Sequence, residues 1–143
     1  MPGILAKGRE LYAALGGGDA DALGRLLAPD FQGRLSEGLP LGLGRRYDGL
    51  RSMVDDGWGA VDRWFEISPR PDDLIDGGAV LVARGEYVGA VRATGRPLRA
   101  AFAHFWRFDG QRFTAVHQVT DTAKWHEALA VGQGPPAADQ VQP

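Results

Sequence analysis

The first thirty positions of the chain repeat apolar residues at the spacing of an amphipathic α-helix. Leu11 and Leu15 follow Ile4 at this spacing, and a run of three glycines then ends the pattern, because glycine readily ends helices. Tyr12 lies beside this apolar stripe. A second short run follows Asp19, whose carboxylate suits the N-terminal cap of a helix. The pattern predicts two consecutive N-terminal helices.

A third helical pattern follows a glycine-rich loop at residues 38–44. Asp48 stands where a cap would lie, and the apolar face that follows extends from Leu50 to Trp58. Between the second and third helices, residues 31–37 are predicted to form a short extended stretch. The first half of the chain is therefore predicted to be mainly helical.

The second half alternates apolar and polar residues with the period of a β-strand. We predict strands at 61–67, 79–92, 97–108 and 112–120, and a loop at 69–78 that is rich in proline, aspartate and glycine. Helices followed by a meander of strands indicate an α+β domain. We expect three N-terminal helices to pack on one face of a strongly curved antiparallel sheet and to enclose a pocket.

The alternation also predicts which side chains face that pocket. On the strand 97–108 the even positions are apolar apart from His104, whereas the odd positions carry arginines, so the even face points inward. A two-residue turn at Thr94-Gly95 would pair 93 with 96 and place Tyr87 on the same inward face. The inward face of these two strands then includes Leu81, Tyr87, Phe102, His104 and Trp106.

The register of the last strand has two possible solutions. A two-residue Asp-Gly turn after Phe108 would turn His117 and Asp121 inward, whereas a longer loop or a bulge would turn Gln118 inward. Asp121 is also positioned to cap a C-terminal helix. From both registers we take a set of candidate substrate-binding residues, which are Trp58, Leu81, Phe102, Trp106, Gln118 and Asp121.

Composition excludes several classes of protein. The 143 residues suit one domain, predicted at 1–130, and the polar, glycine- and proline-containing segment 131–143 is predicted to be disordered. Sixteen Lys and Arg against eighteen Asp and Glu leave a net charge of −2, so no nucleic-acid partner is expected. The absence of cysteine and of metal-binding histidine spacing predicts no metal site, and no cofactor is expected. No apolar run is long enough for a membrane span, and a cytoplasmic location is expected.

Three side chains are candidates for catalysis. His104 carries an imidazole whose ordinary pKa near 6.5 suits proton transfer, and the Tyr87 phenol can donate a hydrogen bond to a developing oxyanion. Glu37, at the end of the extended stretch, could reach the pocket mouth as an opposing base. The alternatives are a hydrogen-bonded core histidine, a packed tyrosine and a solvated loop acid.

Two segments carry a resemblance to a known family. Residues 11–31 have the order helix, Gly-Asp, helix, Pro-Asp-Phe, and residues 94–122 contain Thr-Gly-Arg-Pro, Ala-His-Phe-Trp-Arg-Phe-Asp-Gly and Gln-Val-Thr-Asp-Thr. These motifs resemble the SnoaL-like group of the nuclear transport factor 2-like superfamily over about residues 5–128. The resemblance implies a cone-shaped pocket for a small apolar or polycyclic molecule. It also implies a homodimer through the outer sheet face, where Phe105 lies between two arginines.

The resemblance leaves two classes of function open. The carboxylate that SnoaL-like cyclases carry on the last strand falls on Gln118, which cannot exchange a proton. Of the ketosteroid isomerase site, the oxyanion-hole aspartate falls on His104, the helix-1 tyrosine on Leu11 and the general base on Leu35. One class is a cofactor-independent isomerase, cyclase or dehydratase that transfers protons on an apolar oxygenated substrate. The other is a non-catalytic ligand-binding or accessory protein with the same pocket.

Overall fold

Residues 3–130, which the computed structural model describes, form a six-stranded sheet with helices packed against one face. A π-helical turn, Met53–Trp58, joins two short helices into one helical segment. The predicted tail at 131–143 lies outside the described residues. The elements are α1 (Ile4–Gly17), α2 (Ala20–Leu26), β1 (Leu27–Arg34), β2 (Arg46–Asp48), α3 (Leu50–Ser52), α4 (Gly59–Trp64), β3 (Phe65–Asp76), β4 (Val80–Val91), β5 (Pro97–Phe108), β6 (Phe113–Thr120) and α5 (Thr122–Leu129).

The strands lie in the order β2-β1-β6-β5-β4-β3. All neighbours are antiparallel except β1 and β6, which run parallel. This parallel pair differs from the purely antiparallel sheet that the sequence predicts, because no hairpin connects β1 with β6 and sets their relative direction. The predicted α+β class with a curved sheet is confirmed. None of the helices within residues 3–130 is long and apolar enough to cross a membrane.

The hairpin between β4 and β5 keeps the predicted facing with a different turn. The Val91 N–H donates to the Arg96 carbonyl at 2.9 Å, and Gly95 adopts a φ of +74°, so the connection has more residues than the predicted two-residue turn. Tyr87 accordingly lies opposite Ala100. The pairing differs from the predicted one by two positions, and an even shift leaves the inward face unchanged.

The register of β6 follows the second of the two predicted solutions. Gln118 lies directly opposite His104, and His117 lies opposite Phe105 on the outer face. An irregularity between Arg107 and Phe108 produces this register, because the extra residue in β6 reverses the facing relative to a tight turn. Gln118 is therefore buried and His117 is exposed.

Several predicted boundaries are wrong, including that of the first extended stretch, because β1 spans Leu27–Arg34 rather than residues 31–37. The helical segment continues to Trp64, where the sequence predicts a strand from residue 61, and β3 continues through the predicted loop at 69–78. Proline is tolerated there because β3 is an edge strand, whose outer side needs no ladder donors. Asp48 belongs to β2, and Gly49, with a φ of +93°, takes the cap position of α3 instead. Glycine reaches this left-handed region without the strain of a side chain.

The core lies between the helices and the inner face of the sheet. Helix α1 packs against β3 and β4, and a Cβ atom on Gly8 would lie 2.7 Å from Cδ2 of Leu81 in β4. The largest fully buried side chains include Leu11, Phe31, Tyr47, Phe65, Leu98, Trp106 and Trp125.

Candidate functional site

A cavity of about 120 Å³ lies between the helices and the inner face of the sheet. Its polar surface comes from Tyr87, His104 and Gln118, all three of which are buried. Most of the remaining wall is apolar, and Asp62 is the acidic side chain that lines it within residues 3–130. The aromatic and aliphatic part of the lining consists of Leu15, Leu35, Trp58, Val61, Phe65, Ile67, Pro69, Trp106, Val116 and Trp125.

A continuous chain of hydrogen bonds runs beneath this cavity. The Trp106 indole N–H donates to the Tyr12 hydroxyl at 2.8 Å, and that hydroxyl lies 2.6 Å from Nδ1 of His104. On the other side of the ring, Nε2 of His104 lies 2.7 Å from the Tyr87 hydroxyl. The Gln118 amide donates to the same hydroxyl at 2.8 Å. Both nitrogens of His104 are therefore bonded to phenol groups.

The orientation of the Gln118 amide is set from outside the cavity. The backbone N–H of Ser36 donates to Oε1 of Gln118 at 3.1 Å, so the amide nitrogen must face Tyr87. The Ser36 hydroxyl donates to the Gln118 carbonyl and accepts from the Thr120 N–H, both at 3.0 Å. The loop after β1 is thereby fixed to β6, and Gln118 serves as a donor to Tyr87.

Burial keeps the three titratable side chains of this hydrogen-bond chain, those of Tyr12, Tyr87 and His104, in their neutral forms. Desolvation lowers the pKa of His104 to about 3, so the imidazole is neutral near pH 7. Desolvation also raises the pKa of both Tyr12 and Tyr87, against smaller opposing effects of their hydrogen bonds to Trp106 and Gln118. The sequence predicts a histidine that titrates near neutrality. The structure instead holds a neutral ring.

Aromatic stacking holds the His104 ring in place. Its centroid lies 4.0 Å from that of Phe102 with an interplanar angle of 10°, and the Tyr12 ring lies nearly parallel to both. Phe102 supports the histidine and is not part of the cavity wall. Leu81, packed beneath Gly8 of α1, is also outside the wall.

The candidate residues from the sequence thus separate into two groups. The structure brings Tyr87, His104, Gln118, Trp58 and Trp106 together around the cavity. Four other candidates do not line it, namely Glu37, Leu81, Phe102 and Asp121.

The two acidic candidates lie at the surface. Glu37 is exposed in the turn after β1, so the structure does not bring its carboxylate to the cavity. Asp121 is exposed at the cap position of α5, where its carbonyl accepts from the Lys124 N–H at 3.1 Å and its side chain makes no capping bond. The predicted position of Asp121 at the start of a helix is confirmed.

Trp58 reaches the cavity from the π-helical turn. The centroid of its ring lies 6.1 Å from that of Phe31 and 6.2 Å from that of Trp106, and the side chain is half-buried. A π-helical turn inserts a residue into the helix and so rotates the following side chains relative to the preceding turn. Trp58 thereby forms the wall of the cavity opposite the sheet.

Two site residues are missed by the sequence analysis. The resemblance places the helix-1 tyrosine at Leu11, but Leu11 is fully buried in the core and Tyr12 bonds His104. A tyrosine beside the apolar stripe of a helix was the available signal. Asp62 is missed because residues 61–67 are predicted as a strand. Its side chain is 79% exposed at the edge of the cavity, and Oδ1 lies 3.1 Å from Nη2 of Arg92.

Comparison with known proteins places these observations in context. A family model described as a SnoaL-like domain matches residues 9–116. A search among curated proteins found no match. Among solved structures, an NTF2-like protein from Burkholderia thailandensis is 25% identical, and the alignment covers 90% of this chain and 98% of that chain with a TM-score of 0.81.

Two further solved structures share the fold at lower identity. IdmH, a proposed polyketide cyclase from Streptomyces antibioticus, is 21% identical with a TM-score of 0.72 over 87% of this chain and 96% of its own. TerC, which was co-crystallised with polyporic acid, is 22% identical with a TM-score of 0.76 over the same shares of the two chains.

Proposed function

Because the chain belongs to the SnoaL-like domain family, we propose that its cavity binds a small, apolar, oxygenated molecule and that the protein converts it by proton transfer, without a cofactor, as an isomerase, cyclase or dehydratase. One observation carries this proposal. Tyr87 lines an apolar cavity, and its hydroxyl is hydrogen-bonded to both His104 and Gln118. Such a hydroxyl is a fixed dipole to which a substrate oxygen can bind.

The surroundings of Tyr87 make its hydroxyl an effective hydrogen-bond donor. Donors that are fixed in a site of low dielectric stabilise developing negative charge more strongly than water does, because they need no reorganisation. Phe65 and Trp125 keep the neighbouring wall apolar. We therefore propose that Tyr87 binds the carbonyl oxygen of the substrate and stabilises the enolate that forms from it.

The volume of the cavity limits the size of the ligand. A protein cavity of about 150 Å³ can hold benzene, and the cavity here measures about 120 Å³. A single six-membered ring is therefore at the upper limit of what this cavity can enclose. A polycyclic molecule, as the sequence-based resemblance implies, would have to extend past Asp62 into solvent or displace Trp58.

Asp62 is the candidate base for this chemistry. We propose that its carboxylate takes a proton from the carbon next to the substrate carbonyl, while the electron pair moves to the oxygen bound by Tyr87. Return of the proton to another carbon gives an isomer. Attack of the enolate on a second carbonyl carbon of the same molecule closes a ring, and the resulting alkoxide takes the proton back from Asp62. The ion pair with Arg92 would orient the carboxylate.

The relatives support the class of ligand. IdmH is a proposed polyketide cyclase, and TerC was crystallised with polyporic acid. These two relatives support an oxygenated ring compound as the ligand proposed for this chain.

A second candidate function is ligand binding without chemistry. The observation that favours it is the charge state of the inner cavity, where His104 is neutral with both nitrogens bonded and Gln118 stands in place of an acid. Such a site would bind an oxygenated ring and leave it unchanged.

We also propose a homodimer through the outer face of the sheet. Phe105 and Val119 are 41% and 49% exposed on this face. Val80, Val82 and Val88 lie beside them on β4. Arginines lie among these side chains, with Val80 opposite Arg107 and Val88 opposite Arg99, and exposed apolar side chains of this kind are stabilised when a second copy covers them.

Deuterium exchange distinguishes the two functions. A cyclic enone in deuterated buffer should lose its α-proton signal faster in the presence of the protein, and Asp62→Asn should slow this exchange by about 10²-fold or more. Asp62→Asn should leave enone binding within about twofold, because the carboxylate lies at the edge of the cavity. Binding without any accelerated exchange would support the second candidate, and absence of binding would contradict both.

A further inference from the structure

We propose that Tyr12 is a positioning residue that fixes the tautomer of His104 and thereby directs the Tyr87 hydroxyl proton into the cavity. The proposal rests on the proposed function only for its consequence, which is that the ligand must present an acceptor oxygen. The tautomer itself follows from donors and acceptors that are independent of any ligand.

At one end of the hydrogen-bond chain, Trp106 determines whether Tyr12 donates or accepts. An indole N–H can only donate, so the Tyr12 oxygen must accept from Trp106. Tyr12 is buried and does not line the cavity. Within residues 3–130, Nδ1 of His104 is the acceptor to which its proton can go. A buried hydroxyl proton without an acceptor is costly, so Tyr12 donates to Nδ1.

At the other end of the hydrogen-bond chain, His104 and Gln118 determine whether Tyr87 donates or accepts. With Nδ1 accepting, the neutral imidazole carries its proton on Nε2 and donates it to the Tyr87 oxygen. The same oxygen accepts from Gln118, whose amide is held in this orientation by Ser36. Both lone pairs of the Tyr87 oxygen are thereby used, and its own proton has no hydrogen-bond acceptor among residues 3–130. That proton points into the cavity.

The opposite tautomer of His104 would leave a hydroxyl proton without an acceptor in the core. If Nδ1 carried the proton, the Tyr12 oxygen would accept from both Trp106 and His104, and the Tyr12 proton would be enclosed in the core. Tyr87 would then donate to Nε2 and offer nothing to a ligand. The two tautomers therefore differ in whether the unpaired donor faces the core or the cavity, and only the cavity can provide it with a partner.

Because the Tyr87 proton points into the cavity, the class of ligand is defined more narrowly than by the proposed function. Gln118 also lines the cavity, and its amide nitrogen carries a second N–H beyond the one donated to Tyr87, so the polar groups that the inner cavity can offer to a ligand include two donors. A carbonyl, enolate or phenolate oxygen accepts from such a pair. An amine or ammonium group, which donates, is disfavoured there.

The tautomer is measured in the ligand-free protein by NMR on isotope-labelled histidine nitrogens. His117→Gln and His126→Gln assign the signals, because these two histidines are exposed. We expect a directly bonded proton on Nε2 of His104 and none on Nδ1. A proton on Nδ1 would overturn the proposal, and this measurement needs no variant at the site.

The role of Tyr12 is tested with Tyr12→Phe and a matched control. Tyr47→Phe removes another buried tyrosine hydroxyl, one that donates to the Leu43 carbonyl at 2.8 Å outside the cavity. We expect Tyr12→Phe to move the Nδ1 nitrogen resonance of His104, because that nitrogen loses its hydrogen-bond donor, and to weaken binding of para-fluorobenzaldehyde, followed by fluorine NMR, by about fivefold to tenfold. Tyr47→Phe should change neither.

The outcomes separate this inference from the proposed function. An unchanged Nδ1 resonance or an unchanged affinity in folded Tyr12→Phe would overturn the positioning role. If Tyr12→Phe fails to fold, the proposal is tested by the His104 tautomer of the wild-type protein alone. If the wild type binds para-fluorobenzaldehyde no better than para-fluorotoluene, or no better than Tyr87→Phe does, the proposed function fails while the tautomer result stands.

Discussion

Gln118 and His104 lie directly opposite each other on β6 and β5, and both side chains bond the Tyr87 hydroxyl, at 2.8 Å and 2.7 Å. The cross-strand pair therefore holds one phenol oxygen between two nitrogen atoms. The Gln118 nitrogen reaches this oxygen only because the irregularity near Phe108 turns Gln118 inward. The register of β6 thus determines whether Gln118 joins His104 at the Tyr87 hydroxyl.

Replacing the amide of this pair should redirect the Tyr87 proton. In Gln118→Glu, an introduced carboxylate oxygen would accept from Tyr87 in place of the amide donor, so Tyr87 would have no proton for the ligand. We expect the affinity for para-fluorobenzaldehyde to fall by about tenfold. Fluorine NMR titration measures it, with circular dichroism to verify folding. An unchanged affinity would show that Tyr87 does not bind the ligand oxygen.

Acid should destabilise the protein through His104. The imidazole has a pKa of about 3 in the fold and about 6.5 when unfolded, so below pH 6.5 the unfolded state takes up a proton that the folded state does not. The stability associated with the neutral ring is complete above pH 6.5 and is progressively lost towards pH 3. Between pH 7.5 and 5 this loss is about 2 kcal/mol.

Urea unfolding at these two pH values measures that loss. Wild type and His117→Gln, whose histidine faces outward from β6, should lose similar stability. His104→Gln should lose about 2 kcal/mol less over the same interval, whatever its stability at pH 7.5. Equal pH dependence in His104→Gln and wild type would contradict the neutral buried ring.

Trp58 should limit ligand size. Trp58→Ala removes the ring that closes the cavity opposite the sheet, and the enlarged space should favour two-ring ketones over one-ring ketones. We expect the ratio of the two affinities to change by about tenfold or more, since each added ring buries further apolar surface. Trp64→Ala is the control, because Trp64 ends the same helical segment but is exposed and outside the cavity.

The outer face should carry the dimer contact. Phe105→Asp introduces a charge into the exposed apolar surface, and burying it against a second copy would be unfavourable. Analytical ultracentrifugation should show a dimer for wild type and for Leu41→Asp, which alters an exposed loop leucine, and a monomer for Phe105→Asp. A wild-type monomer at micromolar concentration would refute the proposed assembly.

The inward facing of Tyr87 and His104 could be predicted because side chains alternate between the two faces of a strand. An error in the predicted pairing of β4 with β5 changes the facing only when it is an odd number of residues. The turn between β4 and β5 differs from the prediction, but its shift of two leaves both residues inward. The resemblance to the SnoaL-like group, which depends on turns and core residues, is confirmed by the family match.

Other parts of the site depend on contacts between distant segments. Tyr12 meets His104 through the packing of α1 on the sheet, which periodicity within one helix cannot specify. Asp62 was not predicted as a site residue because a short apolar run can form either the end of a helix or a strand. In the structure the helical segment continues through this residue. Glu37 lies outside the cavity because β1 ends earlier than its apolar pattern suggests.

The infrared carbonyl stretch of a bound cyclic enone tests the central claim most directly. A hydrogen bond from Tyr87 polarises the carbonyl and lowers its stretching frequency, whereas an apolar wall leaves it high. We predict a lower frequency for the enone bound to wild type than for the same enone bound to Tyr87→Phe, with Tyr47→Phe matching wild type. Equal frequencies in wild type and Tyr87→Phe would show that the Tyr87 hydroxyl does not polarise the ligand.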